Sequence, residues 1–338
     1  MQDEVERDRR ALRALVNGFM ASQAVHAFTL LGVADLIGTG RRPAGELAEA
    51  TGANPQALYR LLSALAAMGI LDEDDDRSFA LTPLGDGLRS DAPGSMAGWV
   101  ELIGTPNFWQ NWGQLSDSIR TGQTGWQLRH GVDAWTYREQ HPDAGRVFDR
   151  AMMSLTGNDA GSVAAAYDFA HVGTIVDVGG GRGTLLAEIL AGNPQARGVL
   201  FDQPHVVDKA AELLADKGVL ERCRVVGGSF FEAVPEGGDA YLLKSVIHDW
   251  YDPEARSILT TCRRAMRADA VLLLVENLLG PPNEGLATKL GDLNMLVNPG
   301  GMERTREQYA ELLAGAGFRL ERVIPTRDRF SLVEARPT

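Results

Sequence analysis

The chain has 338 residues, 44% hydrophobic and 23% charged, a balance that excludes a disordered chain, a collagen-like repeat and a disulfide scaffold, and at roughly 150 residues per domain the length suggests two domains. Lys and Arg number 33 against 45 Asp and Glu, a formal net charge of −12, and an acidic body repels nucleic-acid phosphates and anionic lipid. Cys223 and Cys262 are the only cysteines, too few for a disulfide framework; with a charged N-terminus and no window approaching roughly 18 apolar residues, the chain reads as cytoplasmic, with no signal peptide and no membrane span.

Leu12, Leu15, Val16, Phe19 and Met20 recur at helical spacing, so the chain opens with helices whose single apolar face needs a partner. Asn54 followed by Pro55 supplies a cap and a first-turn proline for a helix that puts Leu58, Leu61, Leu62 and Leu65 on one face and closes at Gly69. Ile70 and Leu71, the acidic run 72–76, then Phe79 to Leu81 read as a short hairpin. Helix, helix, hairpin is the winged-helix pattern, which often reads DNA. Residues 1–90 carry nine arginines and no lysine against thirteen acids, and an acidic wing repels phosphates, so the module reads as a dimerisation or scaffolding element over residues 1–95.

Residues 96–165 hold Trp99, Trp109, Trp112, Trp126 and Trp135 without a strand pattern. They read as a helical connector whose aromatic residues either pack together or wall a flat ligand. From residue 166 the pattern changes to strands at 174–178, 198–201, 223–226, 241–243 and 271–275, alternating with helices at 184–190, 206–217 and 253–266. Repeated strand–helix units mean a parallel sheet covered on both faces. A last helix at 306–314 precedes runs at 318–324 and 330–334, whose short link demands an antiparallel pair. The fold class is α/β, a Rossmann-like sheet ending in an antiparallel pair, behind a mainly α winged-helix domain.

Asp177-Val-Gly179-Gly180-Gly181-Arg182-Gly183 joins the first strand to its helix, where a doubly wound sheet binds nucleotides. Counting from Gly179, the sixth residue is Thr184 rather than glycine, which makes a poor pyrophosphate cradle. An acid at Asp177 and close glycines suit a ligand with an ammonium group and no phosphates. Asp202 ends the second strand and is placed to accept from ribose hydroxyls.

Together with that loop, Phe201-Asp202-Gln-Pro, Lys244-Ser-Val-Ile-His248-Asp249-Trp250, Gly300-Gly-Met-Glu303-Arg304-Thr305, Thr121-Gly122 and Phe148-Asp-Arg-Ala-Met152 resemble the S-adenosylmethionine-dependent small-molecule O-methyltransferases of antibiotic tailoring and plant phenolic metabolism. The resemblance covers nearly the whole chain. It implies S-adenosylmethionine as cofactor, a homodimer, an aromatic small-molecule substrate and a catalytic domain over residues 166–338. It also implies His248 as general base, held by Glu276 and Glu303 as an aspartate holds the histidine of a hydrolase triad. For the cofactor it implies Asp177, Gly179 and Gly181 in the loop, Asp202 at the ribose, Ser229 and Phe230 at the adenine, Lys244 near the cofactor's edge and Thr156 at its carboxylate. The family usually has an acid where Ser229 stands, and a hydroxyl bonds the adenine amine without charge assistance. Met152, Trp250, Asn294, Met295 and Asn298 are the implied substrate lining, and no metal cluster is visible.

Two other readings remain open at this point. One is a family member with other chemistry: hydroxylation, decarboxylation, cyclisation or N-methylation. The other is a cofactor-sensing regulator, supported by the winged helix and opposed by its acidic tip.

Overall fold

A computed structural model describes residues 2–338. They fall into two compact units, one running to Trp109 and including Arg150–Leu155, the other made of Gln110–Asp149 and Thr156–Thr338.

The first unit opens with one continuous helix, Gln2–Leu30. Its Phe28 is buried, while Leu12, Leu15, Val16, Phe19 and Met20 are exposed. Asn54 caps the Pro55–Ala67 helix by accepting from the Ala57 amide, and that helix buries Leu58, Leu62 and Leu65. Gly69, with φ +77°, then turns the chain. The hairpin pairs β2 (Leu71–Glu73) with β3 (Ser78–Leu81), and β1 (Arg41–Pro43) adds to its other edge in the order β1-β3-β2. The sequence reading missed β1 because its three residues are all exposed and carry no alternation.

In the second unit the strands are β4 (Thr174–Val178), β5 (Arg197–Asp202), β6 (Cys223–Gly227), β7 (Ala240–Lys244), β8 (Val271–Glu276), β9 (Phe318–Pro325) and β10 (Ser331–Pro337). Among the described residues they form one sheet in the order β6-β5-β4-β7-β8-β10-β9. The first five strands are parallel, and β10 runs antiparallel to both β8 and β9. Alternation along the strands fills both faces. Val176, Leu243, Leu272 and Leu274 pack with Ile258, Leu259 and Cys262 of the Asp252–Ala265 helix. Ile175, Leu242 and Leu273 pack with Leu186 and Ile189 of the Thr184–Gly192 helix.

The helix expected over 206–217 is two pieces, Pro204–Val207 and Ala210–Asp216, separated at Lys209 where ψ opens to 8°. Apolar spacing hid the break because Val207, Ala210 and Leu214 sink into one core. The Leu286–Val297 helix was also not legible: it starts at Gly285 without a side-chain cap, and only Val297 in it is buried.

The strand order reverses between β4 and β7. In a parallel sheet the loops leaving such neighbouring strands diverge and open a crevice at their carboxyl ends. The glycine loop follows β4 and the His248 turn follows β7, so the sheet itself sets both motifs at this edge.

Among the described residues, no helix is long and apolar enough to cross a membrane. Leu273→Ala, in the middle of β8 and fully buried, should cost ~2–5 kcal/mol of stability. Urea melts of the variant and its parent measure this, and a cost below ~1 kcal/mol would mean that this part of the core is looser than the packing described.

Candidate active site

His248 sits in a short 3-10 turn, Ile247–Asp249, just beyond β7. Its Nδ1 lies 3.0 Å from Glu303 Oε1 and 3.7 Å from Glu276 Oε2. A carboxylate only accepts, so Nδ1 carries the hydrogen and donates it to Glu303, leaving Nε2 on the opposite side of the ring. Glu276 ends β8; its Oε1 accepts from the Ile247 amide at 2.9 Å, and its Oε2 is buried without a hydrogen-bond partner. Glu303 is held from behind, its amide donating to Asp292 at 2.8 Å.

The three acids around the ring decide its charge. Burial alone would lower the His248 pKa, but Glu276, Asp249 and Glu303 outweigh burial and raise it from 6.5 to about 10. Glu276 is pushed up to about 7 by burial, against the pull of the imidazolium. Asp249, whose Oδ1 is 3.7 Å from Nε2, rises to about 6 for the same first reason. Near neutral pH the group therefore binds a proton on the imidazole and is poised to share another with a carboxylate.

Arg304 fixes the turn. It is 1% exposed, and its guanidinium donates to the Ile247, Trp250 and Met302 carbonyls at 3.2, 2.8 and 3.3 Å and to Asp252 Oδ1 at 2.8 and 3.0 Å. Carbonyls on both sides of His248 thus hang on one buried cation. Gly301 completes the contact. Its φ is +98°, and a Cβ there would stand 2.2 Å from the His248 carbonyl oxygen and 2.5 Å from the Trp250 nitrogen, while the neighbouring Met302 amide donates to that same His248 carbonyl at 2.8 Å.

The glycine loop forms a second group. Gly179, Gly181 and Gly183 all have positive φ, which only glycine adopts without strain. The Gly181 amide donates to Asp202 Oδ2 at 2.8 Å, and Gln203 donates to its Oδ1 at 2.7 Å. Asp177, expected to face a ligand's ammonium group, is instead 1% exposed and tucked beneath Gly180, where an added Cβ would lie 2.5 Å from its Oδ2. That oxygen has no partner, and burial followed by the charge of Asp202 raises the carboxyl to about 7.

Lys244 and Thr156, far apart in sequence, meet at 3.4 Å. Burial lowers the Lys244 pKa to about 8, and its Nζ sits 4.4 Å over the Phe330 ring. Ser229 accepts from the Phe231 amide at 3.3 Å and lines a cleft with Phe201, Val226 and Gly228. Phe230 meets Trp250 edge to face at 6.2 Å.

Two of the implied substrate residues, Asn294 and Asn298, are hydrogen-bonded to each other. Asn298 is buried and spends its amide on Asn294 and Asn111, while Asn294 also accepts from Trp112. Met295 is half-buried on the same helix. Met152 is half-buried and belongs to the first unit. Asp249, Arg304, Asp292 and Arg138 were not singled out from the sequence as site residues, whereas Trp135 was named there only as one of five tryptophans that pack together or wall a flat ligand. The first two sit inside the quoted motifs; the others have no motif to mark them.

The ligand atoms of His248, Glu276 and Glu303 lie within 4.8 Å of one another, so the folded chain does assemble a three-donor set where the sequence reading saw no metal cluster. Sequence distance concealed it. The direct 3.0 Å contact between Nδ1 and Glu303 has the length of a hydrogen bond.

Comparison with known proteins matches residues 112–319 to the model of the O-methyltransferase domain and residues 14–91 to that of the O-methyltransferase dimerisation domain. The chain is 41% identical to a phenazine O-methyltransferase of Lysobacter antibioticus, over 96% of this chain and 95% of that one. It is 38% identical to an 8-amino-8-demethylriboflavin N,N-dimethyltransferase of Streptomyces davaonensis, over 93% and 91%. Its fold is similar to that of an O-methyltransferase from neocarzinostatin biosynthesis solved with S-adenosylmethionine and 2-hydroxy-5-methyl naphthoic acid, with a TM-score of 0.78 and 34% identity over 94% of this chain and 96% of that one.

Gly300 and Gly301 give a matched test of the turn, since both have positive φ but the nearest atom to a Cβ on Gly300 is a Thr124 methyl at 3.4 Å. Alanine should cost each ~1–3 kcal/mol for its backbone conformation, and Gly301→Ala should lose clearly more because it strikes backbone. Thermal melts of the two variants compare them directly, and equal losses would mean that the loop is free to move off the His248 turn.

Proposed function

The chain belongs to the S-adenosylmethionine-dependent O-methyltransferases, and from that premise we propose that it methylates a hydroxyl of a phenolic natural product with His248 as general base. The observation that carries this reading is the bond from Nδ1 to Glu303 at 3.0 Å, which commits one ring nitrogen and leaves Nε2 to take the acceptor's proton. When bound, S-adenosylmethionine supplies an electrophilic methyl group on a sulfonium.

The residues at the carboxyl edge of the sheet fit that cofactor. Gly179 and Gly181 leave backbone bare for a close approach. Asp202, oriented by two backbone amides, keeps lone pairs for ribose hydroxyls. Ser229 and Phe230 would flank the adenine, Asp177 would support the loop from beneath, and Lys244 with Thr156 would meet the carboxylate end. Functionally, residues 1–95 would serve dimerisation, 96–165 the acceptor side and 166–338 the cofactor.

The acceptor's oxygen loses its proton to Nε2 and forms the new bond to carbon. An imidazolium near 10 and a phenol near ~10 are matched, so the proton moves between them at little cost. Glu276 and Glu303 stabilise the charge that the ring acquires, and Trp250 with Met295 would form apolar walls for a flat acceptor. Asn294 and Asn298 would shape that wall through their mutual bond, with Met152 assigned to the acceptor as well. A second reading, an amine acceptor, draws support from the N,N-dimethyltransferase relative, since an amine must shed a proton to the same base.

A mass-shift assay with paired hydroxyl and amine aromatics separates these two readings. His248→Ala should lose on the order of 10²- to 10⁴-fold in turnover while binding cofactor normally. Because the base works unprotonated and its pKa is raised, kcat/KM of the parent should climb as pH rises from about 7 towards about 9, and the alanine variant should regain rate as the acceptor ionises by itself. A variant that matches its parent at neutral pH would leave proximity alone as the source of rate.

The family's dimerisation domain and the exposed Leu12, Leu15, Val16, Phe19 and Met20 support a homodimer that buries this stripe. Leu15→Asp combined with Val16→Asp should therefore yield monomers. Light scattering reads the mass, and an unchanged mass would move the interface elsewhere.

A further inference from the structure

The short helix Ala134–Gln140 is not used by the mechanism above, yet it borders the reactive turn. Trp135 stacks on Trp250 with ring centroids 5.9 Å apart and planes 18° apart, two residues beyond His248. Arg138 lies one turn after Trp135, on the same helical face. Its guanidinium is 4.8 Å from the Trp135 ring and 3.6 Å from the Phe148 ring, where cation–π attraction holds it.

Both side chains end in a buried donor with nothing to donate to, Trp135 Nε1 and Arg138 Nη1. Each such orphan is costly, and buried donors nearly always find a partner. Asp133 does not serve them: its carboxylate accepts the Trp135 and Thr136 amides and the Thr136 hydroxyl at 2.8 to 2.9 Å, as the cap of the helix. Burial lowers the Arg138 pKa to about 10 despite the acids Asp249, Asp149 and Asp133 nearby.

We propose that Trp135 Nε1 and Arg138 Nη1 form an anion subsite for a carboxylate carried by the aromatic acceptor, so that the substrates are aromatic hydroxy acids. This rests on the methyl-transfer reading and narrows its substrate class. The Trp135 and Phe148 rings stand at 88° to one another beside the guanidinium and leave its Nη1 unpartnered, and a carboxylate satisfies such a donor with charge-assisted bonds that a carbonyl or ether cannot equal. The acceptor then places its carboxylate at Arg138 and its hydroxyl at His248, whose Nε2 takes the proton.

The test measures binding and turnover separately. Hydroxybenzoic and hydroxynaphthoic acids and their methyl esters are titrated calorimetrically into the full-length protein saturated with S-adenosylhomocysteine, then assayed for methylation with S-adenosylmethionine. At least one acid should bind roughly tenfold or more tighter than its ester, a difference of about 1.4 kcal/mol. Arg138→Gln should abolish that preference while leaving ester binding and cofactor affinity unchanged, and Arg138→Lys should restore part of it. If no acid binds more tightly than its ester, or if Arg138→Gln weakens acid and ester equally, the subsite is overturned and Arg138 is a support for Asp249. An acid that binds with the expected preference but is never methylated would sustain the subsite and sink the methyl-transfer reading.

Discussion

The hydrogen bond between His248 and Glu303 is the contact on which the site depends, because it ties the turn after β7 to the loop before the last helix. Glu303 arrives from the loop before the last helix, His248 from the turn after β7, and Glu276 from the end of β8. β7 and β8 are neighbours in register, Lys244 beside Val275, so two of the three are fixed by strand pairing. The third is brought in by the Gly300-Gly301 turn, which packs directly on the backbone of residues 248–250.

Burying that much charge is expensive, and the surroundings show how it is tolerated. Three acids face one imidazole, and among the described residues the orphan oxygens Glu276 Oε2 and Glu303 Oε2 stay without hydrogen-bond partners. The excess negative charge is answered by the imidazolium itself, by the Ile247 amide at Glu276, and by Arg138 at Asp249. The strain is therefore stored in the proton positions, with His248 and Glu276 both displaced upward. For a proposed base this is useful: a ring whose protonated form is strongly held accepts a proton from a weak acid such as a phenol with little penalty.

The glycine loop obeys a different constraint. There the positive φ angles at Gly179, Gly181 and Gly183 are sustained by Asp202 accepting from Gly181 and by Asp177 filling the space under Gly180. Val246, just before the His248 turn, would be 2.7 Å from a Cβ on Gly179. The two halves of the site are consequently in contact through side chains that carry no chemistry, and a change in one is felt by the other.

By itself the sequence determined the alternation of strands and helices, the antiparallel ending and the Asn54 cap, because each leaves a local trace in apolar period or turn chemistry, whereas His248, Glu276 and Glu303 were singled out through the family resemblance. Periodicity is blind to short exposed pieces such as β1 and to a break such as that at Lys209, since apolar spacing continues across it. Only the tertiary structure decided that Asp177 faces the loop from below, that Arg304 holds the carbonyls around His248, that Lys244 meets Thr156, and that Asn294 and Asn298 bind each other. It alone set Trp135 and Arg138 beside Trp250. Those relations link residues remote in the chain, and their energies depend on burial and distance, which strand register and loop closure create and a string of residues does not contain.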